Sequence, residues 1–134
     1  MTHSARMKAL VKRLSKPSAY DHHRDMAGLV LDAGLLDALM ERTSPPDRNG
    51  CMVYRGLFYG KGIAVEEAGT GKAVVISTNR VAYYFGHGVR LGRDEEAYHV
   101  CANDGSGDLP LCVCPDHLER QTIAQRYAAV RGKK

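Results

Sequence analysis

Residues 99–118 have the sequence HVCANDGSGDLPLCVCPDHL, in which cysteines and a histidine are spaced like the ligands of one metal ion. Structural zinc sites use four ligands, most often cysteine thiolates and histidine imidazoles. Three such residues in this stretch are Cys101, Cys112 and His117. The fourth ligand is either Cys114, which is close in the sequence, or the distant Cys51, and the residues alone leave both open. We therefore expect this stretch to fold around a structural metal.

The size and composition of the chain predict one soluble domain with a single core. The chain has 134 residues, of which 44% are hydrophobic, and a chain of this length is too short for two separate cores. The sequence contains no run of about 18 apolar residues, so we expect no membrane span. The N-terminal MTHSARMKALVKRL has basic residues among its apolar positions, unlike a signal peptide. We expect an intracellular protein, in which cysteines serve as metal ligands or buried thiols more often than as disulfides.

The N-terminal third of the chain is predicted to be helical. Apolar residues from Met7 to Leu14 recur at helical spacing, which indicates a short amphipathic helix that ends at Pro17. A second helical stretch is expected over roughly residues 21–42, and a Ser-Pro-Pro sequence follows it. Residues 1–45 are therefore predicted to form a helical extension that packs on the core and offers a surface for a homodimer or a protein partner.

From Cys51 onward the pattern changes from helical to extended. Segments rich in Val, Ile, Tyr and Phe are separated by glycine-containing turns, which predicts a hairpin or a three-stranded sheet. The predicted elements are strands at residues 51–58, 62–66 and 73–77, a helix from Thr78 to Gly86 or Gly88, a strand at Ala97–Cys101 and a final helix from Pro115 to about Val130. Residues 46–134 are thus predicted to form an α+β domain with a basic C-terminal helix.

Four segments of the chain resemble the phage-type HNH and His-Cys box homing endonucleases. The segments are Asn49-Gly50-Cys51-Met52-Val53-Tyr54-Arg55-Gly56, Asn79-Arg80-Val81-Ala82-Tyr83, His99-Val100-Cys101-Ala102-Asn103 and Cys112-Val113-Cys114-Pro115-Asp116-His117-Leu118. They are similar to the family's Gly-Cys-aromatic strand, its His-Arg-(Val/Leu)-Ala-Tyr helix start, its His-x-Cys-x-Asn strand and its Cys-x-Asn-Pro-x-His-Leu segment. The similarity covers roughly residues 35–126. It implies a zinc-stapled ββα-metal core with a small antiparallel sheet, preceded by N-terminal helices.

The resemblance also implies which residues bind structural zinc. Carried over position by position, the family's ligands fall on Cys51, Cys101, Cys112 and His117. This choice leaves Cys114 outside the site. The metal would then connect the first strand of the domain to its C-terminal part.

The same resemblance implies a nuclease site. His99 corresponds to the family's general base, and Arg80 corresponds to an arginine that contacts the scissile phosphate. An imidazole titrates near neutral pH and can accept a proton from water. In the family a hard cation, Mg²⁺ or Mn²⁺, stabilises the charge that develops in the transition state.

Two positions depart from the family's pattern. The family's cation-binding Asn falls on Arg126, and a guanidinium cannot ligate a cation, so the neighbouring Gln125 becomes the candidate ligand. The middle Asn of the motif is Cys114 here. Asp104 and Asp108, in the longer loop before it, are either replacement oxygen ligands or turn residues.

The resemblance and the charge distribution both suggest DNA as a partner. Family members lay the sheet that follows the first zinc cysteine into the major groove. The candidate DNA-binding residues are Tyr54, Arg55, Lys61, Lys72, Arg120, Arg126 and Arg131. Residues 118–134 contain five basic side chains and one acidic side chain, and this basic end suits either a nucleic-acid backbone or a solubilising tail.

Two hypotheses for function follow. The first is a metal-dependent DNA endonuclease, phage-encoded and active in a bacterial cytoplasm, with His99 as the base on a zinc scaffold. The second is a catalytically degenerate zinc protein of the same type, which binds DNA or a protein partner without cleavage. The substitutions at Cys114 and Arg126 motivate the second hypothesis.

Overall fold

Short strands and helices alternate along the chain, in keeping with the predicted α+β class. The computed structural model describes residues 19–56, 61–105 and 109–131, and it describes no side chains at 19–20 and 129–131. The elements are β1 (Ala19–Tyr20), α1 (Ala33–Glu41), β2 (Val53–Tyr54), β3 (Gly62–Glu66), β4 (Ala73–Ser77), α2 (Thr78–His87), β5 (Glu95–His99), β6 (Leu111–Cys112), a 3₁₀ turn (Pro115–His117), β7 (Leu118–Thr122) and α3 (Ile123–Arg131). None of the helices in these ranges has the length and apolar character needed to cross a membrane. The helix predicted between Met7 and Leu14 lies outside the described residues.

The strands form three small sheets. In the first, β4 lies between β3, to which it is antiparallel, and β1, to which it is parallel. The second consists of β2 and β6, and the third of β5 and β7, both antiparallel. The strands predicted at 62–66 and 73–77 are confirmed as a hairpin. The strand predicted after Cys51, however, pairs with β6 and not with this hairpin: Val53 lies opposite Cys112, and Tyr54 lies opposite Leu111. Local sequence could not indicate a pairing partner so far along the chain.

The core surrounds the β3–β4 hairpin. The first four residues of each of these strands are buried, so both faces of the hairpin are covered. Side chains packed into this core include Met26, Leu29, Leu35, Leu39, Val81, Leu91, Ala97 and Leu118. The expectation that this sheet lies in a DNA groove therefore does not hold for β3 and β4, because neither strand has an open face.

Helix α2 forms as predicted. It ends at Gly88, which has a left-handed φ of 73° and whose N–H donates to the Tyr84 carbonyl at 2.7 Å. A glycine adopts this conformation without steric cost, and it commonly terminates a helix.

The helix predicted over residues 21–42 was wrong in its first half. Only α1, at its C-terminal end, is helical. Asp32 caps α1 by accepting the Leu35 N–H at 3.0 Å, and Gly28 has a φ of 78°, which no helix accommodates. Met26 and Leu29 are nevertheless buried, so these apolar residues fill the core from turns and not from one helical face.

The final helix was also placed too early. Pro115 begins a 3₁₀ turn, and β7 then pairs with all five residues of β5 before α3 starts at Ile123. Thr122 and Gln125 start α3 with a reciprocal pair of hydrogen bonds: the Gln125 N–H donates to Thr122 Oγ1 at 3.0 Å, and the Thr122 N–H donates to Gln125 Oε1 at 2.9 Å. This capping box, and not the proline, sets the helix start.

Arg80 is the largest side chain that is fully buried in the core. Its guanidinium donates to backbone carbonyls from separate parts of the chain. The acceptors are Glu95, Arg24 (2.9 Å), Leu91 (3.1 Å) and Gly92 (2.7 Å). Arg80 therefore ties helix α2 to the segment before α1 and to the loop before β5.

Glu96, on β5, is a buried carboxylate beside Arg80. Its Oε1 lies 3.8 Å from Arg80 Nη1 and accepts the Ala97 N–H at 2.8 Å, and its Oε2 lies 3.1 Å from His23 Nδ1. Burial outweighs the N–H donor and the guanidinium, and it raises the pKa of Glu96 from 4.5 to about 7.

We expect Glu96→Gln to stabilise the protein more at pH 8 than at pH 6. Because the pKa of Glu96 is higher in the folded state, the free energy of unfolding of the wild type decreases as the pH increases from 4.5 to about 7. Glutamine does not titrate, so the variant lacks this decrease. The difference in free energy of unfolding between variant and wild type should grow by about 1 kcal/mol between pH 6 and pH 8. Denaturant titrations at both pH values, at one fixed metal content, measure it. A constant difference would show that the carboxyl does not titrate in this range.

Candidate metal centre

Four side chains from separate segments converge on one point. Their ligand atoms all lie within 4.8 Å of one another, and they belong to Cys51, Cys101, Cys112 and His117. His117 Nδ1 lies 3.5 Å from the Cys51 sulfur and 3.4 Å from the Cys112 sulfur. A tetrahedral zinc ion, with bonds of about 2.3 Å to sulfur and about 2.0 Å to nitrogen, places such atoms about 3.5 Å apart. The cluster could therefore hold a metal ion, and it is compatible with zinc.

A tight turn presents Cys51 to the cluster. Asp47 Oδ1 accepts the N–H groups of Asn49 at 2.8 Å and Cys51 at 3.0 Å. Between them, Gly50 has a φ of 80°, which favours glycine, and a Cβ at this position would lie 3.5 Å from His117 Nε2. The Asp-x-Asn-Gly-Cys sequence is thus a turn that brings the first ligand against the imidazole.

Backbone hydrogen bonds join the segments that carry the other ligands. The His117 N–H donates to the Cys114 carbonyl, and the His117 carbonyl accepts the Val100 N–H, both at 2.9 Å. The Cys112 N–H donates to the Asn103 carbonyl at 2.9 Å. The ligands on β6 and in the 3₁₀ turn are therefore held against the segment around Cys101 by the backbone itself.

Cys112 shows why the cluster suits a cation. Burial raises the pKa of its thiol to about 12, although backbone N–H groups of Cys114 and Met52 bond to its sulfur and oppose this shift. A thiol with such a pKa stays protonated at neutral pH unless a cation replaces the proton. N–H donors aimed at a sulfur stabilise its thiolate form. Four thiol and imidazole groups, two of them on buried cysteines, could hold a metal ion and are the ligand types that zinc prefers.

The structure leaves Cys114 outside the cluster, as the family resemblance implied. Cys114 is half-buried and contributes its carbonyl to the 3₁₀ turn. Asn103 was not singled out as a functional residue, yet its side-chain Nδ2 lies 3.3 Å from the Cys51 sulfur. Its position two residues after a ligand cysteine is the sequence feature that could have identified it.

His99 lies at the end of β5, beside the cluster. Its Nε2 is 2.7 Å from the Cys112 carbonyl oxygen. A carbonyl oxygen only accepts, so Nε2 carries the proton and Nδ1 of the neutral ring keeps its lone pair. Burial lowers the pKa of His99 below its usual value of 6.5, against the raising effects of this hydrogen bond and of Asp104. The ring is therefore half-buried, neutral at pH 7 and fixed in one tautomer.

In the described part of the chain, the residues predicted to bind a catalytic cation form no second group of metal ligands. Gln125 Oε1 accepts the Thr122 N–H in the capping box, so its oxygen serves the helix start. The Arg126 guanidinium stacks on the Tyr98 ring, 4.8 Å from its centroid. Within the described ranges, the zinc-type cluster is the one group of three or more His, Cys, Asp or Glu side chains that could hold a metal. Asp108 lies outside those ranges.

The remaining predicted site residues are scattered. Arg80, the predicted phosphate clamp, is fully buried and donates to backbone carbonyls, which does not support contact with a phosphate. Tyr54 is also buried, and its hydroxyl donates to the Gly62 carbonyl at 3.2 Å, so its prediction as a DNA contact was wrong. Arg120 pairs with Glu95.

Five predicted DNA-binding residues are exposed: Arg55, Lys61, Lys72, Arg120 and Arg126. Lys61 and Lys72 precede β3 and β4, and the register of the hairpin puts them at its opposite ends. The side chain of Arg131 lies outside the described residues. The structure thus shows exposed basic residues, two of which lie far apart on the hairpin.

Comparisons with known proteins identify no relative: this chain matches no protein-family model, no curated protein and no solved structure. The similarity to the HNH and His-Cys box enzymes therefore rests on the four sequence segments. The structure adds that the four residues aligned with the family's zinc ligands converge on one point.

Proposed function

We propose that the chain is a zinc-stabilised domain of HNH/His-Cys box type that hydrolyses phosphodiester bonds in DNA, with His99 as the general base. One observation carries this proposal: the hydrogen bond between His99 Nε2 and the Cys112 carbonyl, at 2.7 Å. It attaches the candidate base to a residue of the metal cluster and leaves Nδ1 as the proton acceptor.

The proposed chemistry follows from that geometry. A water molecule attacks the phosphorus, its proton passes to His99 Nδ1, and the bond from phosphorus to the leaving oxygen breaks. The leaving oxygen takes a proton from solvent. Zinc, bound by the four-residue cluster, would hold the strand that ends in His99 in place, and it would take no part in the reaction because its ligand set is complete.

The order of the elements supports the same proposal. Strands β5 and β7 pair antiparallel over five residues, and α3 follows β7 directly. This arrangement of two strands and a helix has the order that the name ββα-metal describes. The ligands Cys101 and His117 lie in the connection between the two strands, since one follows β5 and the other precedes β7.

We expect the protein to nick supercoiled plasmid DNA, and His99→Ala to slow nicking by about 100-fold or more, the usual loss when a general base is removed. His87→Ala is a matched control, because exposed His87 also places Nε2 against a carbonyl near the cluster, that of Pro115 at 3.0 Å. Reactions with Mg²⁺, with Mn²⁺ and with no added cation cover the possible cation requirements. No nicking in any of them, or equal loss in both variants, would refute the proposal.

A second function, binding of DNA or a protein partner without hydrolysis, is favoured by Arg126. This residue fills the position of the family's cation ligand, and its guanidinium stacks on Tyr98 beside the candidate base. If this function is correct, DNA binding measured by gel shift should be the same in wild type and His99→Ala, with no cleavage in either. Mg²⁺-dependent nicking gained by Arg126→Asn would show that a cation site can be restored there.

A further inference from the structure

Asn103 is in contact with two residues of the metal cluster. Its side-chain Nδ2 lies 3.3 Å from the Cys51 sulfur, and its backbone carbonyl accepts the Cys112 N–H at 2.9 Å. The side chain is half-buried between the turn that carries Cys51 and the segment that carries Cys101. One residue thus links a ligand in the turn before β2 to a ligand on β6.

The hydrogen bond to the Cys51 sulfur comes from a side chain, so a substitution can remove it. Its donor is Asn103 Nδ2. The Cys51 backbone N–H donates to Asp47 Oδ1 instead, at 3.0 Å.

The charge of a Cys₃His cluster explains what such a donor does. Three thiolates and one neutral imidazole around a divalent ion carry one net negative charge. An amide N–H directed at a thiolate spreads part of that charge and holds the sulfur in a fixed direction. A protonated thiol, by comparison, is a weak acceptor.

We propose that Asn103 is a positioning residue for the metal: its amide holds the Cys51 sulfur in a fixed direction in the coordination sphere and so sets the affinity and the electronic environment of the bound ion. The role depends on the metal cluster and not on hydrolysis. Groups that orient metal ligands typically contribute 10- to 100-fold in metal affinity. Asn103 therefore tunes the cluster without being one of its ligands.

The test uses the full chain with Co²⁺ as a spectroscopic probe and Zn²⁺ in competition with a chromophoric chelator. Asn103→Ala removes the donor, and Asn103→Asp keeps the shape of the side chain while replacing the N–H donor by an oxygen. Asn49→Ala is the control, because Asn49 is exposed on the same turn as Cys51 and donates only its backbone N–H there. Circular dichroism of the metal-loaded proteins verifies folding.

Both Asn103 variants should bind one Zn²⁺ about 10- to 100-fold more weakly than wild type, with the larger loss for aspartate. Their sulfur-to-cobalt charge-transfer band should move to lower energy, because a thiolate without its hydrogen bond gives up an electron more easily. Asn49→Ala should change neither quantity.

An unchanged affinity, or a lower affinity with an unmoved charge-transfer band, would overturn the proposal, since the second result is that of a merely structural residue. If Asn103→Ala does not fold, the band position in Asn103→Asp decides the question. Failure of the wild type to bind Co²⁺ would refute the cluster itself, whatever the outcome of the nicking assay.

Discussion

Removal of the metal by a strong chelator should unfold most of the region after Cys51. The ligands come from four separate segments, and the strands next to two of them, β2 and β6, have only two residues each. Such short elements are not stable without further connections. Structural zinc contributes about 10–16 kcal/mol in small zinc domains, as much as the whole stability of a typical fold. We expect the midpoint of thermal unfolding, followed by circular dichroism, to fall by about 20 °C or more.

Two serine substitutions make this prediction specific to the four-residue cluster. Cys112→Ser removes a ligand, and it should abolish stoichiometric zinc binding and reproduce the effect of the chelator. Cys114→Ser changes a half-buried thiol two residues away that lies outside the cluster. This variant should keep one zinc per chain, measured by elemental analysis, and lose less than about 1 kcal/mol. Equal losses in the two variants would mean that the ligand set is wrong.

The sequence could predict the cluster because its ligands are chemically distinctive. Cysteine and histidine with short spacings identify a metal site, and three ligands were found from residues 99–118 alone. The choice between Cys51 and Cys114 could not be made this way. It depends on a chain reversal near Asp47 and Gly50, and spacing does not reveal such a long-range contact.

The fold was predictable where local patterns dominate. The β3–β4 hairpin and helix α2 have strong apolar patterns with glycines at their ends, and both were predicted closely. Strand β7 was not predicted, because its sequence Leu-Glu-Arg-Gln-Thr is polar and has no pattern typical of a strand. It is extended because β5 supplies a partner for all five residues, a tertiary effect that overrides local preference.

The candidate site was predictable in its residue types and less so in its geometry. His99 lies beside the cluster as expected. The environments of Arg80 and Gln125 were not foreseen, since one is buried among carbonyls and the other caps a helix. An arginine in a sequence motif looks the same whether it binds a phosphate or a set of carbonyls, and only its burial distinguishes the two.

Replacement of Arg80 should therefore destabilise the fold and not merely an interaction with DNA. Arg80→Met keeps an unbranched apolar stem but removes the guanidinium. The carbonyls of Leu91 and Gly92 still accept backbone N–H groups, whereas those of Arg24 and Glu95 lose their donor. Each buried acceptor left unpaired costs about 1–3 kcal/mol, so we expect a loss of about 3–5 kcal/mol after partial access of water. Arg80→Lys should recover only part of this, because an ammonium cannot reproduce the planar fork of a guanidinium.

Arg93→Met is the matched control for this prediction. Arg93 lies on the same loop as two of the carbonyl acceptors, Leu91 and Gly92, but it is exposed and pairs with Asp21 at the surface, at 2.8 Å. Surface pairs of this kind contribute about 0–1 kcal/mol, so this variant should remain close to wild type in denaturant titrations. If Arg80 instead acts on the phosphate, Arg80→Met will keep wild-type stability and lose DNA binding or cleavage. The two roles therefore predict opposite results: a buried carbonyl-binding arginine changes stability first, and any effect of its loss on DNA follows from unfolding.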